Sequence, residues 1–165
     1  DLVAAAVDRA IATLDWPEKS EDWRSYLEEM ADAIWDMYLR TPGLAPVMRL
    51  PDVTSASGLR AYATAVSELV ACGCEELDAM VIVDSVFDMT TDCVATLDQI
   101  AQGSDHQTAV AEVFESLRHQ AGEDPELHRI LAKTSEFMMR EPRRWWEEKL
   151  RLLLDGASLQ HSGRG

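Results

Sequence analysis

Apolar residues recur along this chain every three to four positions, never in the strict alternation of a strand, so the pattern predicts helices throughout. The clearest run lies between Gly73 and Gly103, where twenty-nine residues pass without a glycine or proline. As a helix this segment is about 40 Å long. Met80, Val83, Phe87, Thr90, Val94 and Leu97 form one apolar stripe on it, and Ile82, Val86, Met89, Cys93 and Ile100 form a second beside it. Together they exceed the roughly 100° that an ordinary surface helix turns to its own core. The surplus must be buried against a second layer of the domain, a ligand, or another copy of the chain.

The remaining segments are also helical in period. Leu2, Val3, Ala6, Val7, Ala10, Ile11 and Leu14 mark a first helix that ends near Asp15, ahead of Pro17. It opens without an initiator Met or a capped entry, so the chain is expected to be cut from something longer. Ser20 can cap a second helix carrying Trp23, Leu27, Met30, Ala31, Ile34, Met37 and Tyr38, and Thr41-Pro42-Gly43 stops it. After a short apolar segment, Thr54 or Ser55 opens a helix that breaks at Gly73. Beyond Gly103, the sequence Ser104 to Gln107 has a capping-box pattern, and Asp124-Pro125 places a cap and an N1 proline before the next helix. Pro142 restarts or kinks that helix, and the last apolar stretch runs to Gly156. The sum is an all-α domain of about eight helices joined by short connections, with a tail expected to fray.

Composition narrows the partners. A net charge of −15 argues against direct contact with nucleic acid, because phosphates need clustered Lys and Arg. The one cationic cluster, Arg140, Arg143, Arg144, Lys149 and Arg151, is interleaved with Glu141, Glu147 and Glu148 and reads as a solvated, ion-paired helix surface. Cys72, Cys74 and Cys93 make neither a disulfide framework nor a zinc motif, and they read as reduced thiols of a cytoplasmic protein. No run approaches eighteen uninterrupted apolar residues, so no membrane partner is expected.

No catalytic pattern stands out. Asp84, Asp88 and Asp92 share one helix face, and the simplest reading is a solvated edge rather than a metal site. The Glu-x-x-His pairs of a carboxylate di-iron bundle are missing, as are a phosphate-binding glycine loop and a nucleophile elbow. The histidines lie on polar segments near the C-terminus. No enzymatic activity, cofactor or metal is expected. What is left is a set of methionines and aromatics at helical spacing, Met30, Met37, Met48, Met80 and Met89 with Trp35, Tyr38, Tyr62 and Phe87. Such residues build cores, and flexible thioethers also line adaptable hydrophobic pockets.

Four places along the chain carry a resemblance. Leu14-Asp-Trp-Pro17 followed by Glu21-Asp-Trp23, the turn Arg40-Thr-Pro-Gly-Leu-Ala45, the junction Leu69 to Glu76 and the closing run Trp146 to Gly156 together resemble the C-terminal ligand-binding and dimerisation domain of tetracycline-repressor-type (TetR family) regulators. The resemblance spans residues 1 to about 156. It implies a missing N-terminal helix-turn-helix domain through which alone DNA would be bound. It also implies a homodimer formed through a four-helix bundle, and a small-molecule effector. By similarity Met30, Ile34, Met48, Ala65 and Thr90 fall at or near pocket positions, and Trp35, Tyr38, Tyr62, Val66, Met80 and Phe87 join them as ligand-binding candidates. Val86, Met89, Cys93, Trp145 and Leu152 are implied as dimer-interface candidates. Met48 stands near the metal-binding histidine position of the tetracycline repressor, and Thr96 where a carboxylate is expected. Both point to a largely apolar, metal-free ligand.

The expected function is therefore that of residues 1–156 as the effector-binding and dimerisation domain of a repressor, with 157–165 as a flexible tail. The ligand would enter between the first, second, fourth and fifth helices. The alternative is a stand-alone helical interaction module without a small-molecule pocket.

Overall fold

The computed structural model describes residues 2–18, 22–50, 53, 55–101 and 106–162. These form α1 (Leu2–Ala12), α2 (Trp23–Arg40), α3 (Leu44–Met48), α4 (Ala56–Ala71), α5 (Glu76–Ala101), α6 (His106–Gln120), α7 (Pro125–Arg140) and α8 (Pro142–Ser162), with no strand among the described residues. The expected all-α architecture holds.

The helix boundaries follow local chemistry. Asp22, rather than Ser20, caps α2 by accepting the backbone N–H groups of Arg24 and Ser25. Ser20 and the Ser104 cap lie outside the described residues, as does Thr54. Ser55 caps α4 by accepting the Gly58 N–H at 3.0 Å. Asp8 on α1 reaches across to the same corner, accepting the Ser55 hydroxyl at 2.8 Å and the Ser57 N–H at 2.7 Å. One carboxylate thus fixes the start of α4 to the middle of α1. Gly73, at φ +93°, turns the chain between α4 and α5, and the Cys74 N–H closes the turn on the Leu69 carbonyl at 3.0 Å. Asp124 and Pro125 open α7 as expected, and Pro142 separates α7 from α8. The last helix continues through Gly156 to Ser162, six residues past its expected end at that glycine.

α5 is the axis of the domain. It packs against α2, α3, α4, α6 and α8. Ala79, Val83, Val86 and Ala95 are fully buried, and Val94 is nearly so. Most of the surplus apolar surface predicted for this helix is therefore used within a single chain: α2, α3 and α4 cover one side and α8 another. α2 supplies the opposing layer through Leu27, Met30, Ala31, Ile34, Trp35 and Tyr38, all buried. Both neighbours of a turn are buried on α2 (Ile34 with Trp35, Met37 with Tyr38) because this helix lies between α5 and its other neighbours and presents more than one face to the core.

α8 is held to this layer by stacked rings and ion pairs. Trp146 and Trp35 stack with centroids 4.7 Å apart, and the Trp146 indole N–H donates to the Thr90 hydroxyl at 3.1 Å. Arg143 meets Asp32 at 2.7 Å and Asp36 at 3.1 Å, and Arg24 meets Asp155 at 2.8 Å. These pairs are partly solvated and contribute little each; their effect is to fix the angle of α8 on α2. The cationic cluster of the sequence is thus a set of short-range pairs, with Arg144 on Glu141, Arg151 on Glu148, and Arg140 on Glu136.

Candidate functional site

A cavity of about 640 Å³ opens among α1 to α5 and the segments that join them. Its floor comes from Ile11 and Ile34, which also belong to the buried core. Four rings line it, Tyr38 and a cluster of three, Trp16, Tyr62 and Phe87. Phe87 is the middle one, 6.5 Å from Trp16 and 6.4 Å from Tyr62 between centroids, in tilted arrangements typical of aromatic clusters. Met48, Leu50 and Val53 bring apolar groups from α3 and the chain after it.

The polar groups of the cavity are few and come mainly from one stretch of α5. Thr91 shares a 2.8 Å hydrogen bond with the Tyr38 hydroxyl, whose ionisation burial pushes up. The Tyr62 hydroxyl donates to the Met80 carbonyl at 3.3 Å. Asp92 pairs with Arg49 at 2.7 Å, so α3's end is tied to α5 across the rim. Asp88 also lines the rim, and its carboxyl is pushed up by partial burial first, then by Asp84 and Asp92, with Arg49 opposing. No group of described residues could hold a metal ion.

Of the residues predicted for a ligand site, Ile34, Tyr38, Met48, Tyr62 and Phe87 line this cavity together. Met30, Trp35, Ala65, Val66 and Thr90 are buried in the packing and do not line it. Trp35 and Thr90 are engaged by Trp146 of α8 instead. Met80 is 38% exposed and contributes only its carbonyl to Tyr62. Sequence reasoning did not assign Trp16, Arg49, Asp88 or Thr91 to a pocket. Trp16 was visible within the Leu14-Asp-Trp-Pro17 motif, and Asp88 within the acidic stripe, but neither carried a direction.

A second concavity of about 310 Å³ lies against α7 and α8, and Asp92 of α5 lines both it and the first. Met89, Cys93 and Trp145, three of the predicted interface residues, line it with Leu97, Met138 and Lys149. Burial pushes the Cys93 thiol up, and the neighbouring Lys149 ammonium, 3.5 Å from the sulfur, only partly offsets this. Lys149 also sits 5.5 Å from the centre of the Trp145 ring. Of the other two interface candidates, Val86 is wholly buried within the chain, whereas Leu152 is 61% exposed on α8. No helix among the described residues is long and apolar enough to cross a membrane.

Comparison with curated proteins finds no match. Comparison with family models gives one whose extent covers all but the first helix and the last few residues. The model of the tetracyclin repressor-like C-terminal domain matches residues 16–160, and the chain belongs to that family.

Proposed function

We propose that the chain is the effector-binding and dimerisation domain of a cytoplasmic repressor, which controls DNA through a separate N-terminal domain and catalyses no reaction. The observation that carries this reading is the double use of α5: Phe87, Asp88 and Thr91 line the open cavity among α1 to α5, while Met89, Cys93 and Thr96 line the groove against α8. A small, largely apolar molecule in the cavity touches α1, α2, α3, α4 and α5 at once. A molecule that binds one arrangement of these helices better than another shifts their population by that difference in affinity. Movement of α5 would then be felt at a dimer seam made from α5 and α8.

The seam itself is supported by the pattern on α8. Trp145, Lys149, Leu152 and Gly156 recur at four, three and four and so share one helix face. Leu152 there is exposed, and a Cβ added at Gly156 would meet nothing within 4 Å. An apolar residue and a bare backbone on one exposed face suit close approach by an identical helix. Size-exclusion chromatography with light scattering tests this: the expected mass is twice that of one chain, falling to one in Leu152→Asp. A monomer at high micromolar concentration contradicts it.

A further inference from the structure

We propose that the cavity takes a lipophilic monocation, an aryl- or alkyl-substituted ammonium or phosphonium, rather than a neutral apolar molecule. This rests on the reading of the cavity as the effector site and specifies the charge of what enters it.

The first ground is the charge count on the wall. Three lining residues carry full charges, Arg49, Asp88 and Asp92. Arg49 is engaged by Asp92 at 2.7 Å. Asp88 has no hydrogen-bond or ion-pair partner among the described residues, and the cavity keeps an excess of one negative charge. Asp88 stands at the rim, where water serves it when the cavity is empty. A ligand that covers the rim removes this water, and burying an unpaired carboxylate is costly unless the ligand brings a cation. The crowding by Asp84 and Asp92, which Arg49 offsets only in part, works in the same direction, because an added positive charge relieves it.

The second ground is the position of the aromatic rings. Phe87 precedes Asp88 on α5, and both line the cavity with Trp16 and Tyr62. Ring faces attract a desolvated cation through their quadrupoles, and soft, weakly hydrated organic cations lose the least on leaving water. The apolar floor of Ile11, Ile34 and Met48 suits the hydrocarbon of such an ion. An anion finds the opposite: the lining guanidinium is already paired, and the chain carries a net charge of −15.

Binding of three probes of like shape to the full chain separates the possibilities: tetraphenylphosphonium, neutral triphenylmethanol and tetraphenylborate, measured by calorimetry or dialysis. The expected result is one tetraphenylphosphonium per chain, held about tenfold or more tighter than triphenylmethanol, with tetraphenylborate unbound. Asp88→Asn should weaken the cation about fivefold or more and leave triphenylmethanol unchanged. Asp84→Asn, which removes the same charge one turn outside the lining, should change cation affinity less than about twofold. Melting temperatures check that both variants are folded. Triphenylmethanol bound as tightly as the cation overturns the charge assignment while leaving the cavity as a binding site. Equal effects of the two Asn variants overturn it too, by showing attraction to the acidic surface at large. If none of the three probes binds, both the charge assignment and the effector-site reading fall.

Discussion

Two side chains decide how the layers meet. Trp146 fills the space between α8 and the α2–α5 layer, stacked on Trp35 and bonded to Thr90, with all three of these side chains almost completely buried. Trp146→Ala should cost about 3–5 kcal/mol, the range for losing a buried aromatic and leaving a cavity. Thr90→Val keeps the shape but strands the indole N–H, for about 1–3 kcal/mol. Urea unfolding of both variants measures this, and a loss below about 1 kcal/mol for Trp146→Ala would contradict the packing role. Asp8 acts differently. Its carboxyl is held below the usual carboxylate range, chiefly by the Ser57 N–H and then by the Ser55 hydroxyl. Because the folded value is the lower one, this contribution is complete above the unfolded-state value near ~3.9 and fades as pH falls through the folded one. The stability gap between wild type and Asp8→Asn should therefore shrink as pH is lowered from about 6 to about 3. A gap independent of pH would mean that ionised Asp8 adds nothing. At this scale the sequence was only partly legible. Periodicity identified Trp35, Tyr38, Phe87 and Thr90 as inward-facing, but inward on α2 and α5 means towards α8 as much as towards the cavity. Trp35 and Ile34 are adjacent, about 100° apart on the helix, and so they serve different neighbours.

Among the elements, α5 and α8 were the most legible, because their long uninterrupted patterns leave little choice of structure. Helix-breaking residues and caps marked the divisions correctly at Gly73, Asp124 and Pro142. The end of α8 was missed by six residues, since its last turns carry no apolar stripe and pattern is the only signal that sequence provides there. Similarly, α3 read as a short apolar segment, because five residues are too few to show a helical period. Gly156 bears on how α8 is used. A glycine inside a helix costs about 0.5–1 kcal/mol relative to alanine, and here no neighbour in the chain requires the missing Cβ. If the partner's helix passes over this point, Gly156→Leu should leave the fold intact and weaken the dimer about tenfold or more, through overlap at the seam. Sedimentation equilibrium would detect the change, and an unaltered dimer would move the seam elsewhere on α8.

For the whole molecule, the surplus apolar surface of α5 has found most of its partners inside one chain, which the stripes alone did not reveal. Periodicity reports which sector of a helix leaves water but is silent on whether a neighbouring helix, a ligand or a second chain receives it. The two uncommitted stretches of α5 flank its buried core and meet at Asp92, one at the aromatic cavity and one at the α8 groove. Titration with N-phenyl-1-naphthylamine, a neutral probe whose fluorescence rises in apolar surroundings and which the cavity should hold less tightly than a cation but still saturably, tests the cavity most directly. The probe should saturate at one site per chain, and binding should be lost in Gly58→Phe, which adds bulk at a lining position where a Cβ alone would already stand 3.4–3.5 Å from Ser55 and Ile11, with the melting temperature checking that the variant is folded. The dimer mass should be unchanged in that variant. Absence of saturable binding to the wild type, or binding undiminished in the folded Gly58→Phe variant, would contradict the assignment of this cavity as the effector site.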